Sequence, residues 1–316
     1  MGNVPEEQSV VLSICIPTYN RPNQLRRLLQ SIRAQYDNRI EVVIGDDGNA
    51  EDTKKVLQEF SDIRIVYFIN EPRKGFAQNL LAVSWKAVGE YIWWISDDDQ
   101  VAEGALGRVF EHLKMHPPIL WVNAESGINP GGEFKKNATD GYLPSKDAGL
   151  EEIGTLLTFI SSIIFQKEKL LALNQDELRQ FEHSSFVNFA IVAMIMLTCG
   201  PIYCIAKPCV IAHWDFASDP WKNKFRTFGI DFLDVMNHFK DRFSSRAYRA
   251  IVGSMFSFSW RVALGERFRS GNSLHQFMMP MIRRYWSYPE ILLAVPLFLM
   301  PRFGIVLLYR LYGRLQ

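Results

Sequence analysis

The chain of 316 residues contains few cysteines, and its lysines and arginines nearly balance its acids, with a formal net charge of +1. Cys15 lies in an apolar, strand-like run, and Cys199, Cys204 and Cys209 are spaced five residues apart. That spacing is not one of the zinc-ligand patterns, and four cysteines in a chain of this length do not indicate a disulfide scaffold. We therefore expect reduced thiols packed in a core, as in a cytoplasmic protein.

The sequence also lacks a signal-peptide pattern and any long uninterrupted apolar run. The opening residues MGNVPEEQS have neither a basic nor an apolar region. Near the other end, Ile291–Met300 and Ile305–Tyr309 each fall short of the ~20 residues that span a bilayer. Joining them would place Pro296, Pro301 and Arg302 near the middle of the span, where an arginine is costly.

Basic and aromatic residues surround these two short apolar pieces, which is typical of helices that lie in the membrane interface. The examples are Arg283, Arg284, Tyr285, Trp286, Tyr288, Arg302, Tyr309, Arg310, Tyr312 and Arg314. We expect peripheral attachment to a membrane surface through C-terminal helices. A buried oligomer interface and a true transmembrane span are the alternatives.

The small net charge conceals two regions of opposite sign. Residues 1–215 carry 20 Lys and Arg against 28 Asp and Glu, a net charge of −8. Residues 216–316 carry 15 against 6, a net charge of +9. The asymmetry predicts an acidic first domain over 1–215 and a basic, helical region over 216–316. We expect the basic region to contact an anionic membrane surface, and we expect no nucleic-acid partner.

The most informative stretch is Gly89–Gln100, which reads GEYIWWISDDDQ. A continuous apolar run that ends abruptly in polar residues indicates a strand buried on both faces of a parallel sheet. Ligands of open α/β sheets bind beyond the carboxyl ends of the strands. Three adjacent acids there, Asp97, Asp98 and Asp99, favour a site for Mg²⁺ or Mn²⁺, which prefer oxygen ligands. The alternative is an acidic turn that caps a helix over Ala102–His112.

Strands and helices alternate before and after this stretch, which predicts a mostly parallel α/β sheet. The spacing predicts strands at Val10–Ile16, Ile40–Gly45, Ile63–Ile69, Tyr91–Ile95, Ile119–Val122 and Ile202–Ile211. It predicts helices at Pro22–Tyr36, Glu51–Phe60, Gly75–Val88, Gly104–Met115 and Phe181–Cys199. A second pair of acids, Asp46 and Asp47, follows the second strand directly.

Five short segments then carry a resemblance to a known family. They are IPTYNR at 16–21, VIGDDG at 43–48, GFAQN at 75–79, GEY at 89–91 and SDDD at 96–99. In order and spacing this set resembles the family 2 glycosyltransferases over roughly residues 10–215. The resemblance implies a GT-A fold, a nucleoside-diphosphate sugar as donor, and a divalent Mn²⁺ or Mg²⁺ ion.

The resemblance also implies roles for individual residues. Asp99 would bind the metal directly, Asp97 would contact the metal and the sugar or ribose, and Asp98 could share either role. The other implied donor-binding residues are Pro17, Thr18, Tyr19, Asn20, Asp46, Asp47, Gly75 and Asn79. His213 is a further candidate metal ligand, although a histidine beside a tryptophan is more often a hydrogen-bonded core residue.

The family places the catalytic base near the start of a helix that corresponds to Phe181–Cys199. Glu182 and His183 stand there, and either type of side chain can be tuned to accept a proton near neutral pH. Asp176 and Glu177 are close enough in sequence to compete for the role. Ser161 and Ser162 are expected either to face the donor sugar or to lie in a buried strand.

These expectations combine into one activity with two alternatives. The chain would transfer a sugar, with inversion, to a hydroxyl of a glycan carried on a polyprenyl diphosphate at the cytoplasmic face of the plasma membrane. The resemblance extends to O-antigen and capsule transferases of the abequosyl- or rhamnosyltransferase kind. One alternative is a nucleotidyltransferase, although the glycine-rich phosphate loop of such an enzyme is missing after the first strand. The other is a non-catalytic membrane scaffold for glycan assembly.

Overall fold

The computed structural model describes residues 9–128, 131–213, 227–270, 282–286, 288, 300 and 304. The chain divides into two compact units, Met1–Ser218 and Asp219–Gln316. The apolar pieces at 291–300 and 305–309, on which the expected membrane attachment rests, lie outside the described residues except for Met300. No helix in the described part is both long and apolar enough to cross a membrane.

The first unit is a mixed α/β domain built on one sheet. In chain order its elements are β1 (Leu12–Thr18), α1 (Pro22–Arg33), β2 (Ile40–Asp46), α2 (Ala50–Leu57), β3 (Ile65–Ile69), α3 (Phe76–Lys86), β4 (Tyr91–Trp94), β5 (Gln100–Val101), α4 (Ala105–Leu113), β6 (Ile119–Ser126), β7 (Gly141–Tyr142), α5 (Lys146–Ala148), β8 (Ile163–Gln166), α6 (Lys167–Leu171), α7 (Gln175–Arg179), α8 (Val187–Cys199) and β9 (Tyr203–Ala212). The strand order is β3-β2-β1-β4-β8-β6-β9-β5, and β7 pairs with β9.

The sheet is parallel where the sequence alternates regularly and mixed elsewhere. Strands β3, β2, β1 and β4 run parallel, as expected for strands joined through crossover helices. Strand β8 is antiparallel to both β4 and β6, while β5 and β7 are antiparallel to β9. The sequence predicted the α/β class correctly, but the sheet contains more antiparallel pairs than the alternation indicated.

The helices cover the sheet with apolar faces that their sequence spacing predicts. In α1, Pro22 stands at the first turn, and Leu25, Leu28, Leu29 and Ile32 are fully buried at helical spacing. Helix α8 is apolar all round, and its residues from Val187 to Met196 are buried. Such a helix needs protein on every side, so it belongs to the interior of the domain.

One predicted helix boundary is wrong by six residues. The helix predicted over Phe181–Cys199 begins at Val187, and residues 181–186 form turns. Ser184 causes the delay, because its backbone oxygen accepts from the Val187 amide and its hydroxyl oxygen accepts from the Phe186 amide. Serine competes with the helix in this way, which favours turns and helix starts over helix interiors.

The second unit is helical where it is described. It contains α9 (Phe232–His238) and α10 (Ser245–Ser270). The Tyr285 hydroxyl donates to the Gly229 carbonyl oxygen over 2.6 Å, and the Tyr248 hydroxyl donates to Asn237 Oδ1 over 2.8 Å. A helical C-terminal region, as predicted, is therefore present, and buried tyrosines with satisfied hydroxyls help to hold it together.

Helix α3 approaches β2 so closely that position 45 has no room for a side chain. A Cβ on Gly45 would lie 2.2 Å from Asn79 Oδ1 and 2.8 Å from Val83 Cγ1. We expect Gly45→Ala to lower the free energy of unfolding by about 1–3 kcal/mol, because overpacking forces helix and strand apart. Urea denaturation of the purified protein measures the change.

Gly107 provides the matched control, since it lies on an exposed face of α4 with open space around its Cα. Alanine has the higher helix propensity, so Gly107→Ala should stabilise the protein by about 0.5–1 kcal/mol. Equal stability of the two variants would contradict the close packing of α3 on β2.

Candidate active site

The carboxyl ends of β1, β2 and β4 bring three polar segments to one edge of the sheet. Thr18 is in register with Asp46, and Cys15 is in register with Trp94 at the end of β4. Because parallel strands end at the same edge, the acids that follow β2 and β4 face the loop that follows β1. Asp46–Asp47 and Asp97–Asp99 therefore lie at the same edge of the sheet, at the ends of the two strands that flank β1.

Asp97 is buried and is held from two sides. The Thr18 hydroxyl donates to Asp97 Oδ2 over 2.7 Å, and Arg21 Nη1 lies 3.1 Å from Asp97 Oδ1. The same Nη1 lies 3.0 Å from Asp98 Oδ2, and Asp98 also accepts from the Ser96 hydroxyl. Burial raises the pKa of Asp97 to about 6, while Arg21 lowers it and Asp98 raises it further.

Asp99 is buried as deeply but has uncharged partners. It is 1% exposed, and its two hydrogen bonds come from the Ser161 hydroxyl to Oδ2 over 2.5 Å and from the His213 amide to Oδ1 over 2.9 Å. Burial raises the pKa of Asp99 well above its usual value, and Asp98 adds to the effect. A buried carboxylate with neutral donors is expensive to ionise, and an oxygen-seeking cation would relieve that cost.

His213 stands beside Asp99 in a fixed orientation. Its Nε2 lies 2.7 Å from Gln100 Oε1, so Nε2 carries the proton and Nδ1 is left as an acceptor. A Cβ on Gly127 would lie 2.5 Å from His213 Cε1, so the ring packs directly on the backbone there. Burial lowers the pKa of His213, with the Arg27 guanidinium as the second cause, which favours the neutral imidazole that metals bind.

The two acids at the end of β2 have different partners, and Asp47 binds the loop that leads into α3. Asp46 accepts from the Gly48 amide over 2.7 Å and from the Tyr67 hydroxyl over 3.0 Å. Asp47 accepts from Asn70 Nδ2 over 2.7 Å and from the Gly75 amide over 2.6 Å. Both carboxylates thus shape the edge of the site, and their expected contact with a base or ribose stays a prediction.

Asn79 and Gly75 belong to the same hydrogen-bonded loop. Asn79 Oδ1 accepts from Asn70 Nδ2 over 2.9 Å, and Asn79 Nδ2 donates to the Gly45 carbonyl oxygen over 2.8 Å. Gly75 has a φ of 81° at the start of α3, a value that L side chains seldom adopt. These two residues therefore fix the conformation of the loop. Their expected contact with the nucleotide-sugar donor stays a prediction.

The loop after β1 forms an exposed rim. Pro17 is the penultimate residue of β1, and Tyr19 is 43% exposed, with the Arg73 guanidinium 3.8 Å from its ring centroid. Asn20 has a φ of 53°, and its Oδ1 accepts from the Asn49 amide over 2.8 Å. An exposed aromatic–arginine pair at the mouth of a site offers a flat surface on which a nucleotide base could stack.

Glu182 and His183, the expected catalytic pair, lie in the turn between α7 and α8. Their side chains form an ion pair over 3.4 Å, with Glu182 40% and His183 77% exposed. Within the described residues, no hydrogen bond or ion pair connects either side chain to Asp97, Asp98 or Asp99. Their role as acceptor base therefore stays a prediction.

The fold brings three further side chains to the carboxylates. Arg21 bridges Asp97 and Asp98, Arg27 Nη2 donates to the Asp98 carbonyl oxygen, and Ser161 donates to Asp99. Arg21 and Arg27 were not among the predicted site residues, although Arg21 stands at the end of the IPTYNR segment, which was a usable signal. The sequence left Ser161 either facing the donor sugar or buried, and no local signal marks its bond to Asp99, which is 62 residues away in the sequence.

The described residues hold no group of three or more His, Cys, Asp or Glu side chains that would by themselves coordinate a metal. The donor set nevertheless fits a divalent ion bound partly by the chain. Asp99 offers buried carboxylate oxygens that have no cationic partner in the described part of the chain, and His213 offers a ring nitrogen whose tautomer is fixed by Gln100. Phosphate oxygens of a substrate and water usually complete such a coordination shell.

The sequence profile described as "Glycosyl transferase family 2" matches residues 13–190, which contain β1 to β8 and the start of α8. The chain belongs to glycosyl transferase family 2. It is therefore a glycosyltransferase, and the activity class expected from the five motif segments is confirmed.

Two relatives of this glycosyltransferase are bacterial enzymes named for the sugar that they transfer. Abequosyltransferase RfbV of Salmonella typhimurium is 28% identical over 255 residues, which cover 74% of this chain and 76% of that protein. The GalNAc(5)-diNAcBac-PP-undecaprenol beta-1,3-glucosyltransferase of Campylobacter jejuni is 35% identical over 168 residues. That match covers 51% of this chain and only 52% of the relative.

Solved structures share the fold at low sequence identity. S. aureus TarS 1–349 in complex with UDP has a TM-score of 0.64 at 15% identity and covers 89% of this chain and 81% of its own. The mannosyltransferase PcManGT of Pyrobaculum calidifontis, in complex with GDP-Man and Mn²⁺, has a TM-score of 0.55 at 13% identity, with coverage of 92% and 86%. These likenesses confirm the GT-A fold.

Proposed function

We propose that this glycosyltransferase transfers a sugar from a nucleoside diphosphate to a hydroxyl of a glycan on a polyprenyl diphosphate, in the synthesis of a bacterial surface polysaccharide. Asp99 carries the proposal, because a buried carboxylate whose donors among the described residues are all neutral is suited to a divalent ion and its diphosphate ligand. The name of the Campylobacter jejuni relative supports the lipid-linked glycan acceptor. The PcManGT complex supports a nucleotide-sugar donor and Mn²⁺, and the TarS complex supports a nucleoside diphosphate.

Asp99 and His213 would hold the divalent ion, with Asp97 beside them. When bound, the ion would supply Lewis-acid stabilisation of the negative charge that develops on the departing diphosphate. Asp97, fixed by Thr18 and Arg21, retains lone pairs that can accept from a hydroxyl of the ribose or sugar. The stacked pair of Tyr19 and Arg73 would border the base.

Transfer with inversion needs a group that takes the proton from the attacking acceptor hydroxyl. Glu182 is the proposed base, because it is only 40% exposed and stands just ahead of the buried helix α8. His183 lies within 3.4 Å and could pass the proton on or take it directly. The acceptor hydroxyl would then attack the anomeric carbon from the side opposite the diphosphate in a single displacement.

The base assignment predicts a difference between neighbouring carboxylates. We expect Glu182→Gln to lower kcat by about 100-fold or more, with the KM of the donor nearly unchanged, because the amide cannot accept the proton. Glu177→Gln is the matched comparison, since it alters the competing carboxylate five residues earlier. Steady-state kinetics measures both variants. If kcat falls in Glu177→Gln alone, or if it falls in neither variant, Glu182 is not the catalytic base.

The location at a membrane is a further part of the proposal. It rests on the +9 charge of residues 216–316 and on the lipid-linked substrate in a relative's name. A polybasic surface is attracted to the anionic cytoplasmic face of a membrane, and each basic residue near it contributes about 1 kcal/mol. Cosedimentation of the full chain with anionic but not with neutral vesicles tests this part. Equal recovery with both would contradict it.

The donor proposal is tested by a thermal-shift panel of UDP, GDP, CDP and dTDP, each with Mn²⁺, Mg²⁺ or EDTA. One diphosphate should raise Tm only with a metal present, since a ligand that binds the folded state stabilises it according to its concentration relative to Kd. The nucleobase of the diphosphate that raises Tm identifies the class of nucleotide sugar that serves as donor. No shift with any diphosphate and metal would contradict the proposed site.

A further inference from the structure

Ser161 occupies a short turn, Ile160–Ser162, that stands between the active-site acids and β8. The sequence left open whether its hydroxyl faces the donor sugar or is buried. The structure buries it completely, and Ser161 is 0% exposed. Its side chain is therefore enclosed by protein and is not exposed at the surface.

The hydrogen bonds around Ser161 fix the direction in which its hydroxyl points. The Ser96 amide donates to Ser161 Oγ over 2.9 Å, which uses one lone pair of that oxygen. Ser161 Oγ in turn lies 2.5 Å from Asp99 Oδ2. A serine hydroxyl has a single proton, so that proton is directed at Asp99.

The turn that carries Ser161 is itself anchored. Trp93 is fully buried in β4, and its Nε1 donates to the Ser161 carbonyl oxygen over 2.8 Å. The backbone and the hydroxyl of Ser161 are thus both tied to the segment that begins with β4 and contains the acids. On the other side of Asp99, the His213 amide fixes Oδ1. Together the two donors hold both oxygens of one carboxylate in place.

We propose that Ser161 is a positioning residue for Asp99. Its hydroxyl donates to the carboxylate and so sets the orientation in which Asp99 binds a divalent ion. The inference rests on the proposed function, because it takes Asp99 to be the ligand of the ion that binds the diphosphate. Hydrogen-bond partners of metal ligands orient the ligand, and their loss typically lowers metal affinity by about 10- to 100-fold. Without Ser161, the carboxylate keeps only one of its two fixed contacts.

Ser162 offers a matched control from the same turn. It is also 0% exposed, and its Oγ has no hydrogen-bond partner among the residues that the structure describes. Ser162→Ala therefore removes the same atom type from the same depth without breaking a hydrogen bond. Any general effect of shortening a serine in this turn should appear in both variants.

The experiment measures Mn²⁺ binding to the full chain by electron paramagnetic resonance of the free ion. Mn²⁺ is titrated alone and with whichever of UDP, GDP, CDP or dTDP stabilises the wild type most. We expect Ser161→Ala to raise the apparent Kd for Mn²⁺ by about 10- to 100-fold, and we expect Ser162→Ala to remain within about threefold of the wild type, since its hydroxyl has no hydrogen bond to a described residue to lose. Metal-free Tm is recorded for each variant.

The outcomes separate this inference from the proposed function. Wild-type Mn²⁺ affinity in Ser161→Ala, whatever its Tm, would overturn the positioning role, and so would an equal loss in Ser162→Ala. Absence of Mn²⁺ binding by the wild type would overturn the proposed function, and the inference with it. If alanine prevents folding, Ser161→Cys keeps a weaker donor at similar volume. Its affinity should be intermediate, and a wild-type value would again overturn the role.

Discussion

Asp99→Asn is expected to lower sugar transfer by at least about 1000-fold while leaving the protein folded. The asparagine side chain has nearly the same shape and keeps one oxygen, but it has no negative charge. The proposed ion therefore loses its charged ligand, and the departing diphosphate loses electrostatic stabilisation. Removing one such interaction typically costs about 100- to 1000-fold, and a metal ion supplies several kcal/mol of stabilisation in total. Release of the nucleoside diphosphate from the matching nucleotide sugar measures the change.

Stability should respond differently from activity in this variant. Asp99 is 1% exposed, and burial raises its pKa well above the usual value, so its charged form is a cost to the metal-free fold at neutral pH. A neutral amide avoids that cost, although its NH₂ group must face either the Ser161 hydroxyl or the His213 amide. We therefore expect the metal-free Tm of the variant to equal or exceed that of the wild type.

Glu103→Gln is the control for Asp99→Asn, because it removes an exposed carboxylate four residues away. Its activity should match that of the wild type. Turnover of Asp99→Asn within about tenfold of the wild type would contradict the proposed role of Asp99 in binding an ion, since a lost metal ligand should cost far more. A large fall in Tm would instead indicate that the carboxylate mainly supports the fold.

Arg21→Met should give the largest loss of stability among substitutions at the site. Arg21 Nη1 is shared between Asp97 Oδ1 and Asp98 Oδ2, and the three side chains are 17%, 6% and 15% exposed. Methionine keeps much of the length but leaves two adjacent, poorly solvated carboxylates without their cation. Breaking a buried ion pair in this way lowers the free energy of unfolding by about 3 kcal/mol. Urea denaturation at constant ionic strength measures this loss.

The loss in Arg21→Met should also depend on pH. Burial raises the pKa of Asp97 to about 6, and Arg21 opposes that rise, so the variant should have an even higher value. When folding raises the pKa of a carboxyl group, the protein loses stability as the pH increases from the group's pKa in the unfolded state to its pKa in the folded state. The deficit relative to the wild type should therefore be larger at pH 8 than at pH 5, where Asp97 is mostly protonated.

Arg26→Met is the matched control on the same helix. Arg26 pairs with Glu59 over 2.8 Å, but the two side chains are 33% and 45% exposed. An exposed pair contributes no more than about 1 kcal/mol, because water and salt screen it. Equal losses in the two variants would show that the pair of Arg21 with Asp97 and Asp98 is no more important than a surface ion pair.

The fold class, and the edge of the sheet at which the proposed site lies, can be predicted from the sequence. Apolar runs alternate with amphipathic helices, and two of the runs end in Asp46–Asp47 and Asp97–Asp99. These patterns are local: strand burial, helix spacing and the residues that follow a strand are all visible within about 15 positions. The five motif segments are local too, so they identified the family before any coordinates were known.

The pairs of atoms that meet at that edge follow from the three-dimensional fold and could not be predicted from the sequence. Asp99 is bound by a serine 62 residues later and by a backbone amide 114 residues later, and Asp97 is bound by an arginine 76 residues earlier. Such pairs depend on strand order and on the antiparallel return of β8, which the alternating pattern did not reveal. A hydrogen bond between remote residues leaves no periodic signal in the sequence, because it requires one side chain in one orientation.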